Sequence, residues 1–210
     1  MYVVDRDFGF APNPFHGYCT LAACKPGIRA RAELGDWVVG MGGARLGATG
    51  RCIFAMLVTQ SLSFNEYWHS PSHLDKRPVR NGSRRMMVGD NIYHWEPATQ
   101  TWLQADSHHS NPDGTPNAHN IANDTKADRV LLSRHFFYFG RDAPCVPVTL
   151  LQSLCFRNGR NYRVFCEPVC ADLLDWLQQT FGGSLNIVLA DPFDFEGGSQ
   201  RYSVGDNKIR

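Results

Sequence analysis

No apolar run in this chain approaches the length needed to cross a bilayer, which argues against a membrane protein. Neither charge is in excess. Lys and Arg number 21 against 20 Asp and Glu, so the formal net charge of +1 offers no global attraction to nucleic acid or membrane, and only a local patch could supply one. No basic segment followed by an apolar stretch opens the chain; no signal peptide is evident, and a cytoplasmic location is expected. There is no C-x2-C pair. The closest cysteine spacings, Cys19-x4-Cys24 and Cys166-x3-Cys170, are not zinc spacings, and the seven cysteines read as reduced, mostly buried thiols. Nucleophile-elbow, HExxH, P-loop, dinucleotide, kinase and zinc-deaminase signatures are all missing. Internal repeats and linkers are missing too, so residues 1–210 are read as a single domain.

What is present is a strand-rich pattern with short helices. Met1 to Asp5 reads as a strand, and the segment from Arg6 to Tyr18 as an aromatic-rich loop, because two glycines and two prolines interrupt it. That loop either lids the core or supplies a pocket wall of stacking rings. Thr20 to Cys24 reads as a helical turn and Lys25 to Leu34 as a short helix with Pro26 in its first turn. Trp37 to Gly42 and Arg51 to Ser61 are strands. Ser63 and Glu66 have the capping-box spacing for a helical turn through Trp68. Arg129 to Gly140 is a buried strand, bent near Ser133. Ser153 to Cys166 is read as a hairpin turning at Asn158-Gly159. Leu173, Leu177 and Phe181 recur with Val169 on one stripe of a long helix that Gly182-Gly183 ends. Leu185 to Leu189 is an expected edge strand, and residues 205–210 are expected to fray. Strands do not alternate regularly with long helices, which disfavours a doubly wound parallel sheet. The expected fold is α+β: a curved, barrel-like, mainly antiparallel sheet with short helices and one longer C-terminal helix.

The chemistry concentrates in a long polar loop over about 89–128, a length that in a compact domain points to function or disorder. Six of the eight histidines fall between His69 and His119, which is why imidazole chemistry is sought here. His108 and His109 are adjacent and in a strand-like stretch face opposite ways, so either can act as general base, with Asp106 or Asp90 orienting it. The structural alternative is that these side chains bond the backbone of a loop that has no ladder partners. Asn91, Tyr93 and His94 follow Gly89-Asp90, and an amide beside an aromatic ring suits a flat heterocycle. His69-x3-His73 has a spacing that could offer a metal two imidazoles on a helix, but Pro71 lies between them, so no metal site is assigned. Lys76, Arg77, Arg80, Arg84 and Arg85 form the one basic run that could meet phosphate.

Several stretches resemble a known family: Asp7-Phe8-Gly9-Phe10-Ala11-Pro12-Asn13-Pro14-Phe15, Cys19-Thr20-Leu21-Ala22 with Cys24-Lys25-Pro26, Gly35 to Gly40, Gly89 to His94, Asp106 to Ser110, and Phe136 to Gly140. Together they resemble the second of the bacterial and phage nucleotide modification associated domain families, from the N-terminus to about Pro147. The resemblance implies a place in DNA-base modification and supplies no catalytic residues. The order of short helix, Gly-Asp turn and strand is also similar to PUA-like domains, which include the EVE and ASCH groups; several of these bind modified or flipped bases, a likeness of fold rather than of site. The first functional reading is recognition of a nucleotide or a modified base extruded from DNA. Phe15, Trp37 and Tyr93 would stack, Asn13, Asp90 and Asn91 would read the base edge, His94 would lie beside them, and Lys25, Arg29 and the basic run would meet phosphates. The alternative is an enzyme of nucleotide or base modification in which His108 or His109, with Asp106 or Asp90, is the base. A scaffold for a protein partner is a third possibility. No cofactor is specified by these residues, no membrane partner is expected, and oligomeric state is not encoded in them.

Overall fold

The computed structural model describes residues 1–159 and 161–210. In chain order the elements are β1 (Tyr2–Val4), β2 (Cys19–Leu21), α1 (Pro26–Arg31), β3 (Trp37–Gly42), β4 (Cys52–Leu57), β5 (Gln60–Leu62), α2 (Phe64–His69), α3 (Arg84–Met87), β6 (Tyr93–Glu96) and β7 (Thr101–Gln104). They continue with α4 (Ala118–Asp124), β8 (Val130–Ser133), β9 (Phe136–Tyr138), α5 (Val148–Ser153), α6 (Glu167–Phe181), β10 (Tyr202–Ser203) and β11 (Lys208–Ile209).

The protein is α+β, with several small sheets and one helix longer than the rest. One sheet has the order β1-β3-β4-β9, and a second has the order β2-β8-β5; β6-β7 and β10-β11 are separate hairpins. Pairing is antiparallel except between β1 and β3. Among the described residues no sheet closes on itself, so the expected barrel is not seen; two sheets stand in its place. The reason lies at a shared kink. The run from Arg51 to Ser61 and the run from Arg129 to Gly140 each break at the same level, between β4 and β5 and between β8 and β9. Thr59 there donates its N–H to Leu132 O (2.9 Å) and accepts from Arg134 N on its hydroxyl (3.0 Å), and Leu57 N reaches His135 O (3.0 Å). The Thr59 hydroxyl stands in for a ladder partner at the kink beside two backbone bonds, and both runs cross from one sheet to the other.

The core divides into two apolar clusters, and the second sheet contributes to both, with Leu21 and Leu131 in the first and Val130 and Leu132 in the second. The first gathers Val39, Met41, Phe54, Met56 and Phe137 with Ile28 of α1 and Leu173 and Leu177 of α6. Gly40 faces Phe54 across the ladder, and a Cβ there would lie 2.1 Å from the Phe54 ring, so only glycine fits. The second cluster gathers Phe8, Phe10, Phe15, Phe64, Ile92, Tyr93 and Leu132. The turn between β2 and α1 joins the two: Ala22 and Ala23 pack in the second cluster and Ile28 in the first.

Several local expectations change. Thr20 to Leu21 is strand, not helical turn, because Cys19 to Leu21 pairs with Leu131 to Ser133. Leu34 is 64% exposed and does not face the core. The expected hairpin over 153–166 is not formed by the described residues: α5 ends at Ser153, a turn follows at Leu154 and Cys155, Asn158 donates to Thr49 Oγ1 (3.2 Å), and Arg160 lies outside the described residues. Residues 185–189 make one bridge, Val188 to Tyr138, rather than a strand. The 205–210 stretch is not frayed; it returns as β11 against β10. The polar loop contains α4, capped by Asn117, whose side chain accepts from Asn120 N. The capping box on Ser63 and Glu66 is formed.

Candidate functional site

The site begins at the turn from β2 into α1. Cys24 and Lys25 are consecutive non-glycine residues with left-handed backbones, φ 56° and 41°, a conformation that costs energy and persists only where the surroundings enforce it. Pro26 then starts the helix with the φ it needs and no N–H to satisfy. Two buried groups hold the turn. Cys24 N donates to Asp124 Oδ1 (2.9 Å), and Cys24 O accepts from Arg29 Nε (2.9 Å). Arg29 is fully buried, and its other nitrogens bind the carbonyls of Asp124, Ala127 and Arg129, so one guanidinium ties the turn to the C-terminal end of α4.

Asp124 also faces His109. His109 Nδ1 donates to Asp124 Oδ2 (2.7 Å), and His109 Nε2 lies 3.4 Å from Cys24 Sγ. Tyr93 OH donates to the same carboxylate oxygen (2.9 Å), and Gln104 Nε2 donates to Tyr93 OH (3.1 Å) and to His109 O (3.1 Å). Gln104 Oε1 accepts from Asn117 N, which joins β7 to the start of α4. The result is a series of sulfur, imidazole and carboxylate, with the imidazole tautomer fixed from behind. Burial alone would lower the His109 pKa, but the Cys24 sulfur and the Asp124 carboxylate override it and raise it to about 10. Burial works against the Asp124 charge too; the His109 interaction outweighs it, helped by Arg29 and the Tyr93 hydroxyl, and holds its pKa below the ordinary value.

The relay opens onto a pocket of about 660 Å³. Tyr2, Phe8, Phe10 and Tyr202 give it aromatic walls, and Arg6 and Lys25 stand on its rim, Lys25 Nζ 4.8 Å above the Tyr2 ring and the Arg6 guanidinium 5.1 Å from the Tyr202 ring. His108 lines the same pocket, with Phe8 and Phe10 at 4.5 and 5.2 Å between ring centroids. Its Nδ1 donates to Gln200 O (2.6 Å). Burial, with the neighbouring His109, drives its pKa down to about 3, so it is neutral and its Nε2 is an acceptor.

Four of the residues singled out in the sequence come to this site. His109 is in the relay, His108 and Lys25 line the pocket, and Tyr93 braces Asp124 from behind. Arg29 stands behind the turn with its donors spent on carbonyls. The carboxylate on His109 is Asp124, not Asp106 or Asp90. Asp106 pairs with Arg201 at the surface. Asp90 belongs to a separate buried network, accepting from Thr20 Oγ1 (2.6 Å) and Tyr67 OH (2.8 Å), where burial raises its pKa. Asn13 sits there too, bonded to Val88 O and to Lys76 Nζ, and Lys76 itself is buried with its pKa lowered to about 8. Asn91 donates to Tyr67 O and His73 O. Phe15 packs on Phe195, Trp37 lies against His135 and Phe137, and His94 stacks on Trp68 at 4.4 Å. The basic run is divided in the same way: Lys76 is buried, Arg77 caps Trp68, and Arg80 binds the carbonyls of Met87, Gly198 and Ser199.

Sequence reasoning missed Cys24, Asp124 and Tyr202. The signals for Cys24 were its place just before a Pro-initiated helix and its part in one of the stretches that carry the family resemblance; Asp124 was one of several acids in a polar stretch. Cys24, His109 and Asp124 also lie close enough together to suggest a metal triad. One ligand atom from each lies within 4.8 Å of the others, while both carboxylate oxygens also accept hydrogen bonds, from Cys24 N, Tyr93 OH and His109 Nδ1.

Fold and site together define a mixed α+β protein in which a strained strand-to-helix turn presents a thiol to an imidazole–carboxylate pair at an aromatic pocket. The chain belongs to the nucleotide modification associated domain 2 family, whose model matches residues 1–199. No curated protein and no solved structure matches it. No helix is long and apolar enough to cross a membrane among the described residues.

Proposed function

We propose that the protein is a thiol-dependent enzyme of a nucleotide modification system, with Cys24 as nucleophile, His109 as its proton acceptor and donor, and Asp124 as the group that fixes and charges His109. The family ties the chain to nucleotide modification. The observation that carries the chemistry is the Sγ–Nε2 and Nδ1–Oδ2 series at 3.4 and 2.7 Å, built on a strained turn at the pocket wall. With Nδ1–H given to Asp124, Nε2 faces the sulfur and takes its proton; the sulfur and the carboxylate raise the ring's pKa to about 10, so it holds that proton through neutral pH and delivers it later to a leaving group. The aromatic walls and the Arg6 and Lys25 rim suit a planar, anionic substrate such as a nucleotide or a base with its phosphate. Recognition of a modified base, in a PUA-like manner, is the binding-only alternative. It uses the same walls but leaves the relay and its strained turn without a role.

Iodoacetamide labelling, resolved residue by residue by mass spectrometry, tests this directly. Cys24 should alkylate faster than the exposed Cys145, Cys155 and Cys166. His109→Ala should slow Cys24 by roughly a hundredfold and leave the other thiols as they were. Equal rates at Cys24 in both proteins would refute the reading.

A further inference from the structure

Two backbone and side-chain groups around Cys24 bear on which bond the thiol attacks. The first is the peptide N–H after the nucleophile. Cys24's own N–H is committed to Asp124 Oδ1, whereas the N–H of Lys25 has no acceptor among the described residues. In a strand-to-helix nucleophile turn, the N–H of the following residue is the one that meets an oxygen carried by the attacked carbon. A donor so near the sulfur reaches an oxygen one bond from the attacked atom. It does not reach an oxygen conjugated two bonds further away, as in addition to a pyrimidine ring carbon.

The second group is His108. With Nδ1–H given to Gln200 O, Nε2 carries a lone pair and no protein partner among the described residues. It is not one of the polar atoms sealed from solvent, and His108 lines the pocket, so that lone pair opens onto it. This acceptor, held 3% exposed between two phenylalanines with its ring 6.0 Å from that of His109, lines the same pocket as Cys24 and offers an N–H on a group bound there a partner. A carbonyl oxygen offers no hydrogen to it; an amide offers one.

We infer that this protein is an amide-directed acyl-transfer enzyme: Cys24 attacks the carbonyl of an amide on a nucleotide-linked substrate, with the Lys25 N–H on the oxygen and His108 Nε2 on the amide N–H. This rests on the thiol reading above. In the first step the Sγ–C bond forms, the carbonyl electron pair moves to oxygen, and the sulfur's proton resides on His109 Nε2. Collapse restores C=O, breaks the C–N bond and passes that proton to the leaving nitrogen, which departs as an amine. Water or a second amine then attacks the thioester, its proton passes to His109, and the sulfur leaves and takes it back. Neither an oxidant nor a metal enters the balance.

Two acetyl donors test the inference, with iodoacetamide as reference: p-nitrophenyl acetate, which has no N–H, and p-nitroacetanilide, which has one. Intact-mass and peptide mapping should place an acetyl group on Cys24 from either donor, and not in Cys24→Ser. The ratio of anilide to ester acylation rates should fall about tenfold or more in His108→Leu, the loss expected for a missing hydrogen-bond acceptor. His108→Gln, which keeps an acceptor, should recover part of it and serves in its place if the Leu variant does not fold. If iodoacetamide labels Cys24 rapidly but neither donor acylates it, the acyl-transfer inference falls and the thiol reading stands. A covalent adduct with 5-bromodeoxyuridine monophosphate in the absence of acylation would overturn it in favour of ring addition. A ratio unchanged in both His108 variants removes the amide assignment. No reaction of Cys24 with any reagent brings down both readings.

Discussion

His108 and His109 are adjacent in the chain and titrate in opposite directions, because one faces a carbonyl and two phenylalanine rings while the other faces a carboxylate. From an ordinary value of 6.5, the folded protein lowers His108 to about 3 and raises His109 to about 10. For His108 the unfolded chain takes a proton that the folded site refuses, so its contribution is intact above 6.5 and is lost as pH falls towards 3. For His109 the folded site holds a proton that the unfolded chain releases, so its stabilisation is full below 6.5 and is lost as pH rises through 10. The pair alone therefore predicts a urea midpoint that is highest near pH 6.5 and falls on either side. Replacing His108 by leucine should flatten the acid limb and leave the alkaline limb. At this scale the sequence was half legible. A pair of adjacent histidines beside acids is visible as a string, but the opposed facing expected of a strand is not what forms: the two lie in a turn, and both rings line one pocket, 6.0 Å apart. The carboxylate that matters lies 15 residues further on and is recruited by a helix, so proximity in the chain pointed to Asp106, which the fold turns outward to Arg201.

The elements that could be read were those whose signals are local. The capping box of α2 and the apolar runs of β3 and β4 depend on near neighbours and formed as expected, and of the α6 stripe Leu173 and Leu177 are buried while Val169, at the helix start, is exposed. β2 and α4 depend on partners distant in sequence. Three residues of β2 are strand only because β8 pairs with them, and α4 is a short polar helix whose ends are satisfied by Gln104 at Asn117 and by Arg29 at Asp124. The Asn158-Gly159 pair is a hairpin signal only when two strands flank it, and between the end of α5 at Ser153 and Gly159 no strand forms. Arg29 decides how α1 and α4 sit together, because its fork is the bond between the turn ahead of one helix and the C-terminal end of the other. Arg29→Lys keeps the charge but cannot reach Cys24 O, Asp124 O, Ala127 O and Arg129 O at once. It should cost about 3 kcal/mol or more in urea denaturation, since buried carbonyls are left unpaired. Cys24 labelling should slow with it. A variant as stable as the parent would show that α1 and α4 are held by packing alone.

Across the whole molecule, the two apolar clusters meet at the turn that carries Cys24, and residues 200–210 close over the His108–His109 loop. Tyr202 N donates to His108 O, Asn120 Nδ2 donates to His109 O and to Tyr202 O, and Arg201 binds Asp106 and Ser107 O. Removing residues 200–210 takes away one pocket wall and the partner of His108 Nδ1. The shortened protein should lose several degrees of melting temperature, at roughly 2–4 °C per kcal/mol for a chain of this size. Its Cys24 should label more slowly, while β3 and β4 keep their amide-exchange protection. Synthesis runs from the N-terminus, so a chain on the ribosome carries Cys24, His109 and Asp124 well before it carries the segment that fastens their loop. A nascent chain that has not yet reached residue 200 therefore lacks the wall that Tyr202 gives the pocket and the bonds that fasten the His108–His109 loop.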